Sequence, residues 1–123
     1  MPAVHGSCHC GKTKFELAAQ PDALTSCTCS YCAKSGALWA YCGPDDFKLL
    51  TPESDRALYQ WGTQTIEHYF CDSCGVATYG ISPDWIDNKP DVSVKKLGVN
   101  ARLLDDVDIG IIPVTVIDGK NLW

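Results

Sequence analysis

Seven of the eight cysteines fall into three short clusters, and this limits the folds open to the chain more than any other feature. The clusters are Cys8-His9-Cys10-Gly11, Cys27-Thr28-Cys29-Ser30-Tyr31-Cys32 and Cys71-Asp72-Ser73-Cys74-Gly75, with Cys42 standing apart. C-x-C and C-x-x-C pairs are the spacing of metal ligands, because two thiolates so close in sequence reach one ion when the chain curls between them. An even cysteine count also permits a disulfide framework. Compartment decides between the two readings: Met1-Pro2-Ala3-Val4-His5-Gly6 has neither a basic leader nor an apolar core, so a cytoplasmic setting with reduced thiols is expected.

Tetrahedral zinc wants four ligands. Cys10 and Cys74 are each followed by glycine, which turns the backbone tightly around the sulfur through a positive φ, whereas Cys29 and Cys32 are followed by Ser30 and Ala33. Cys8, Cys10, Cys71 and Cys74 therefore pair as one closed, structural zinc site, closing a loop of about sixty residues. Cys27, Cys29 and Cys32 form a second centre with three protein ligands. Catalytic zinc keeps such a position open for water, hydroxide or an external thiol, which it acidifies. Other closures stay open at this point. Cys42 could complete the second site, as could His5, His9 or His68, or the three thiols could form a metal-free redox centre.

The rest reads as scaffold. At 123 residues with 46% hydrophobic content, one zinc-binding domain spanning residues 1–123 is expected. Short alternating or apolar segments predict strands over Thr13–Leu17, Phe47–Leu50, Arg56–Trp61, Thr65–Phe70, Val76–Ile81 and Val114–Ile117, the nearly continuous apolar run Ala37–Cys42 predicts a buried strand, and Val92–Val99 has only mixed alternation. The Cys27 cluster lacks periodicity and reads as a loop closed by Ser35-Gly36. Gly62-Thr63-Gln64 reads as a tight hairpin connection, Pro83-Asp84-Trp85-Ile86 as one helical turn and Asp87-Asn88-Lys89-Pro90 as a surface loop. Many short strands without a long amphipathic helix argue for an all-β domain. A net charge of -5 argues against nucleic acid, and no apolar run is long enough for a spanning helix. Trp39, Tyr41, Trp61 and Trp85 read as core, Cys42 as a buried inert thiol, and Lys12, Lys14, Lys34 and Arg102 as solvated charges.

The motifs Gly6-Ser7-Cys8-His9-Cys10-Gly11, Cys27-x-Cys29-Ser30-x-Cys32 and Phe70-Cys71-x-x-Cys74-Gly75, with Gly98-Val99-Asn100-Ala101-Arg102-Leu103-Leu104-Asp105, resemble the glutathione-dependent formaldehyde-activating enzyme (GFA, or CENP-V/GFA domain) family. The family often has arginine or glutamine after the third cysteine of the second cluster; here Ala33-Lys34 follows. The resemblance implies an all-β fold of several coiled antiparallel sheets, the β-tent or Mss-like fold, stapled by zinc. It implies two zinc ions per chain, with Cys8, Cys10, Cys71 and Cys74 structural and Cys27, Cys29 and Cys32 catalytic. It also implies carbon–sulfur lyase chemistry, with glutathione or a similar thiol and formaldehyde or a similar aldehyde as partners. The alternative expectation is a non-catalytic, zinc-stabilised protein-interaction module.

Overall fold

The computed structural model describes residues 3–61, 64–86 and 89–122. Its strands are β1 (Val4–Ser7), β2 (Lys14–Leu17), β3 (Leu24–Cys27), β4 (Trp39–Cys42), β5 (Phe47–Leu49), β6 (Arg56–Tyr59), β7 (Glu67–Cys71), β8 (Ala77–Ile86), β9 (Lys89–Asn100) and β10 (Val114–Ile117). Two short helices, α1 (Ser30–Ser35) and α2 (Gly119–Leu122), complete the list together with brief 3-10 turns. The fold is all-β, as the pattern of short strands predicts.

The strands form a three-stranded sheet, ordered β1-β2-β5, and a seven-stranded sheet, ordered β10-β3-β4-β9-β8-β7-β6. Pairing is antiparallel except between β10 and β3, which run parallel. Aromatic rings join the sheets: Phe15 stacks on Phe47 at 5.7 Å between centroids, Phe47 meets Tyr79 at 4.7 Å, and Tyr79 meets Tyr69 at 5.1 Å. Arg56 donates to the Tyr79 hydroxyl and lies 3.9 Å above the Tyr69 ring, tying the edge strand β6 to β7 and to β8 beyond it.

Strand register sorts the large sheet into two faces, since side chains alternate along every strand. Ala40, Val99, Tyr79 and Tyr69 lie opposite one another across β4, β9, β8 and β7, and all are buried in the core. The next rung, Tyr41–Gly98–Gly80–His68–Tyr59, faces the other way. Helix α1 covers that second face, with the Tyr31 ring 4.0 Å from His68. Gly98 lies close under two rings: a Cβ there would stand 3.2 Å from the Tyr41 ring, which would have to shift slightly, and 3.5 Å from the Trp39 ring, an ordinary contact. A tighter case is Gly6, opposite Phe15, where a Cβ would stand 2.3 Å from Phe15 Cζ.

Several sequence expectations change. Cys27 ends a strand and Cys32 lies within α1, so the second cluster is a strand-to-helix junction; Cys29 caps the helix by accepting from the Cys32 N–H, which periodicity cannot register over so few residues. Pro83-Asp84-Trp85-Ile86 belongs to β8, because its long hairpin partner β9 supplies the pairing that local propensity did not favour. Lys89 and Pro90 likewise belong to β9; the other half of that expected loop, Asp87 and Asn88, lies outside the described residues, as do Gly62 and Thr63 of the expected tight connection. Cys42 is half-buried, and Tyr41 is 44% exposed.

Candidate metal centres

All eight cysteines are free, and seven of them gather into the two groups that spacing indicated. In the first, the sulfurs of Cys8, Cys10, Cys71 and Cys74 lie within 4.8 Å of one another. Two hairpin ends supply them. Cys8 and Cys10 occupy the β1–β2 connection, while Cys71 closes β7 and Cys74 stands in the turn to β8. The turns have matched hydrogen bonds. Gly11 N–H donates to Cys8 C=O at 3.1 Å and Gly75 N–H to Cys71 C=O at 3.0 Å, with φ of 83° and 76° at the two glycines. These are the positive φ values expected after the second cysteine of each pair.

The first group fits zinc on its own geometry. Sulfurs about 2.3 Å from a tetrahedral ion are separated by about 3.8 Å; Cys8 and Cys10 stand 3.7 Å apart, and Cys10 and Cys71 3.6 Å. Backbone N–H groups point at the sulfurs: Thr13 at Cys8 (3.3 Å), and Ser73 and Cys74 at Cys71 (3.4 and 3.5 Å). Such donors favour thiolate over thiol. Burial resists ionisation of Cys74, but the N–H groups of Cys10 and Val76 outweigh it and bring the thiol down to about 6. At Cys10 the Lys12 N–H favours the anion, yet burial and the three neighbouring sulfurs push it up to about 11. The surrounding sulfurs thus hold Cys10 protonated, and a bound cation would offset that repulsion. Outside the group, Lys12 Nζ donates to Asp72 at 2.8 Å and Ser73 at 3.1 Å, latching the two hairpin ends together.

The second group is Cys27, Cys29 and Cys32, again within 4.8 Å of one another. Each sulfur receives an N–H: Cys27 from Cys29 at 3.4 Å, Cys29 from Cys32 at 3.4 Å, and Cys32 from the Trp39 indole at 3.2 Å. Cys27 and Cys29 are buried and Cys32 partly so. Burial pushes the Cys32 thiol well up, against the lowering influence of the Trp39 N–H. The junction is braced by Thr28, whose N–H donates to Ile117 C=O on β10 at 3.0 Å, and by Gly36, which ends α1 in the left-handed conformation. Three thiols converging under N–H donors suit a thiophilic cation.

Among the described residues, no histidine and no fourth cysteine joins this trio. His5 sits between Glu16 (3.1 Å) and Asp106 (3.4 Å), His9 is exposed, and His68 packs on Tyr31 with burial lowering its pKa. Beside α1 run two open grooves of about 490 and 570 Å³ that share Tyr31, Lys34, Ser35 and Tyr59. Trp61 lines the first, and Phe70, Val76 and Asn100 line the second. Trp61, expected in the core, is thus a groove wall, and Lys34 is the cation there. Lys12 belongs to the first centre, and Arg102 is spent on Gly36 C=O at 2.6 Å. The side chain that sequence reasoning missed is Trp39: its place in an apolar run reads as core, and nothing in the sequence signals its aim at Cys32.

A family model described as glutathione-dependent formaldehyde-activating enzyme matches residues 3–109. A Halomonas elongata protein carrying the same family description in its name is 29% identical over 91 residues, covering 67% of this chain and 58% of that relative. The match thus spans less than two thirds of the relative's length. The crystal structure of a Rhodobacter sphaeroides protein superposes with a TM-score of 0.69 at 31% identity, covering 90% of this chain and 99% of that one. With both cysteine groups assembled and the family pattern running through nearly the whole chain, the protein belongs to the glutathione-dependent formaldehyde-activating enzyme family.

Proposed function

We propose that the protein is a zinc-dependent enzyme of the carbon–sulfur lyase type. It adds a thiol such as glutathione to a small aldehyde such as formaldehyde, or runs the reverse. Cys8, Cys10, Cys71 and Cys74 would hold a structural zinc, and Cys27, Cys29 and Cys32 a catalytic one. The observation that carries this reading is the second trio: three sulfurs, each under an N–H donor, with no fourth protein ligand among the described residues, and with open grooves beside α1, the helix that carries Cys32. A four-ligand staple would have no use for that arrangement.

Zinc at the trio supplies acidification of an incoming thiol near neutral pH. The chain's own residues do the rest. Lys34 offers a positive charge at the groove to a thiol that carries carboxylates, which an overall charge of -5 would otherwise repel. Tyr31 and Tyr59, stacked at 6.1 Å between centroids, give an apolar surface for the body of that molecule. The Tyr31 hydroxyl can donate to a carbonyl oxygen. In the addition, the S–C bond forms, the carbonyl π pair moves to oxygen, and the proton lost by the thiol ends on that oxygen as R–S–CH₂–OH. Free thiols throughout suit a reducing setting, and the cytoplasm is the compartment we infer.

The test is Cys27→Ser, assayed by NMR exchange between formaldehyde and glutathione. Loss of catalysed exchange with the four-cysteine centre still loaded is the expected result. Exchange at the wild-type rate in the variant, or none above background in the zinc-loaded wild type, would overturn the enzyme reading. Global unfolding of the variant would instead favour the trio as a structural staple.

A further inference from the structure

We propose that Trp39 is a positioning residue of the three-cysteine centre, its indole N–H holding Cys32 Sγ in place as an anionic ligand. This rests on the reading of Cys27, Cys29 and Cys32 as metal ligands.

The junction's N–H groups at Cys29, Cys32, Ala33 and Gly36 are engaged elsewhere. Those at Cys29 and Cys32 serve the sulfurs of Cys27 and Cys29. Further along, the Ala33 N–H donates to Cys29 C=O and the Gly36 N–H to Cys32 C=O. Cys32 therefore draws its donor from a different element, β4, at 3.2 Å. An indole nitrogen only donates, so the sulfur must accept, and acceptance is strongest for a thiolate.

The indole is well placed to impose a position. Trp39 is 4% exposed and pairs with Asn100 on β9, whose side-chain amide donates to Ala77 C=O on β8 at 2.9 Å. Its ring packs over Gly98, within van der Waals reach of a Cβ at that position. Cys32, by contrast, rides on a six-residue helix with no buried residue. The rigid partner is the sheet, and the indole passes that rigidity to the third sulfur. Cys27 needs no such aid, since it is already fixed in β3.

The experiment titrates the full chain with cobalt(II), following thiolate-to-cobalt absorption against a competing chelator. Wild type should take two equivalents. In Trp39→Phe, the first equivalent should bind as in wild type and the second about 10–100-fold more weakly. On a Cys32→Ala background, Trp39→Phe should produce no further change, because the sulfur through which it acts is gone. A purely packing role would weaken binding on both backgrounds, and that result overturns the proposal, as does an unchanged second equivalent in Trp39→Phe. Should Trp39→Phe fail to fold, 3-benzothienylalanine at position 39 keeps the two-ring shape without the N–H, and the same two outcomes decide. A wild type that takes one equivalent sinks both this proposal and the metal reading of the trio. Two equivalents with no thiol–aldehyde exchange sinks the catalytic reading alone.

Discussion

Replacing Gly6 with alanine puts one methyl group where the structure has no room. The new Cβ would stand 2.3 Å from Phe15 Cζ and 2.8 Å from both Cε atoms. Ordinary contact needs about 3.5 Å or more between carbons, so something must move by about 1.2 Å. Phe15 is 0% exposed and stacked against Phe47, so the ring has no free volume to enter. Overpacking of this kind costs about 3 kcal/mol. For 123 residues the unfolding entropy is about 0.26 kcal/mol/K, so the midpoint should fall by about 12 °C. The alternative to moving Phe15 is moving β1, and Cys8 follows that strand directly. Gly6→Ala should therefore also weaken metal binding at the four-cysteine centre. Urea unfolding read by circular dichroism gives the first effect, and cobalt titration the second. Phe15→Leu removes the offending Cζ, so the double variant should be less destabilised than the sum of the singles by about 1–3 kcal/mol. A Gly6→Ala protein within about 0.5 kcal/mol of wild type, or strict additivity with Phe15→Leu, would refute the steric argument.

Other expectations follow from the two centres and their surroundings. Cys10→Ser, at an exposed position where packing loss is small, should remove the four-cysteine centre's share of zinc stabilisation, about 4 kcal/mol at a thousandfold excess over that centre's dissociation constant, and leave only the response of the Cys27, Cys29 and Cys32 trio; a variant whose midpoint responds to zinc as fully as wild type would argue against Cys10 as a ligand. Lys34→Glu should raise KM for a carboxylate-bearing thiol about tenfold or more, through roughly 1.4 kcal/mol or more of lost attraction, with a smaller effect on a neutral thiol such as 2-mercaptoethanol; equal effects on both would remove Lys34 from recognition. Burial lowers the His68 pKa, so the unfolded chain takes up this proton first as pH falls. Its share of stability is full above the ordinary histidine value of about 6.5 and declines as pH drops below it. His68→Phe should flatten the wild-type loss of stability between about pH 6.5 and 5, and an unchanged pH profile would show that His68 contributes nothing to it.

Local chemistry explains what could be read in advance. Gly11 and Gly75 mark the two tight turns because only glycine enters that backbone region cheaply, so the membership of the four-cysteine centre was visible in two letters after two cysteines. Strands such as Lys14–Leu17 and Glu67–Cys71 announced themselves by alternation. The missing parts are those fixed by distant partners. Pro83 to Ile86 is strand because β9 lies beside it. Trp39 reads as core because it is buried, and only the fold shows which way its one polar atom points. The groove is assembled from α1, the end of β6 and the Cys74 turn, which meet only after both sheets have formed.

The parallel pairing of β10 with β3 carries a consequence for how the molecule is made. Every residue of the four-cysteine centre and both its turns have left the ribosome once residue 76 is out, and that centre can close on its own hairpin ends. The strand leading to Cys27 gains its outer neighbour only when Val114–Ile117 emerges, with Ile117 paired to Cys27 and its carbonyl taking the Thr28 N–H. About forty residues separate the two events, or some 2–8 s of synthesis at ordinary rates of ~5–20 residues per second. During that interval the nascent chain has one finished centre and one unbraced trio of thiols. On the assignment proposed above, loading would be ordered in time: the four-cysteine centre could take its ion first, and the trio would be completed last.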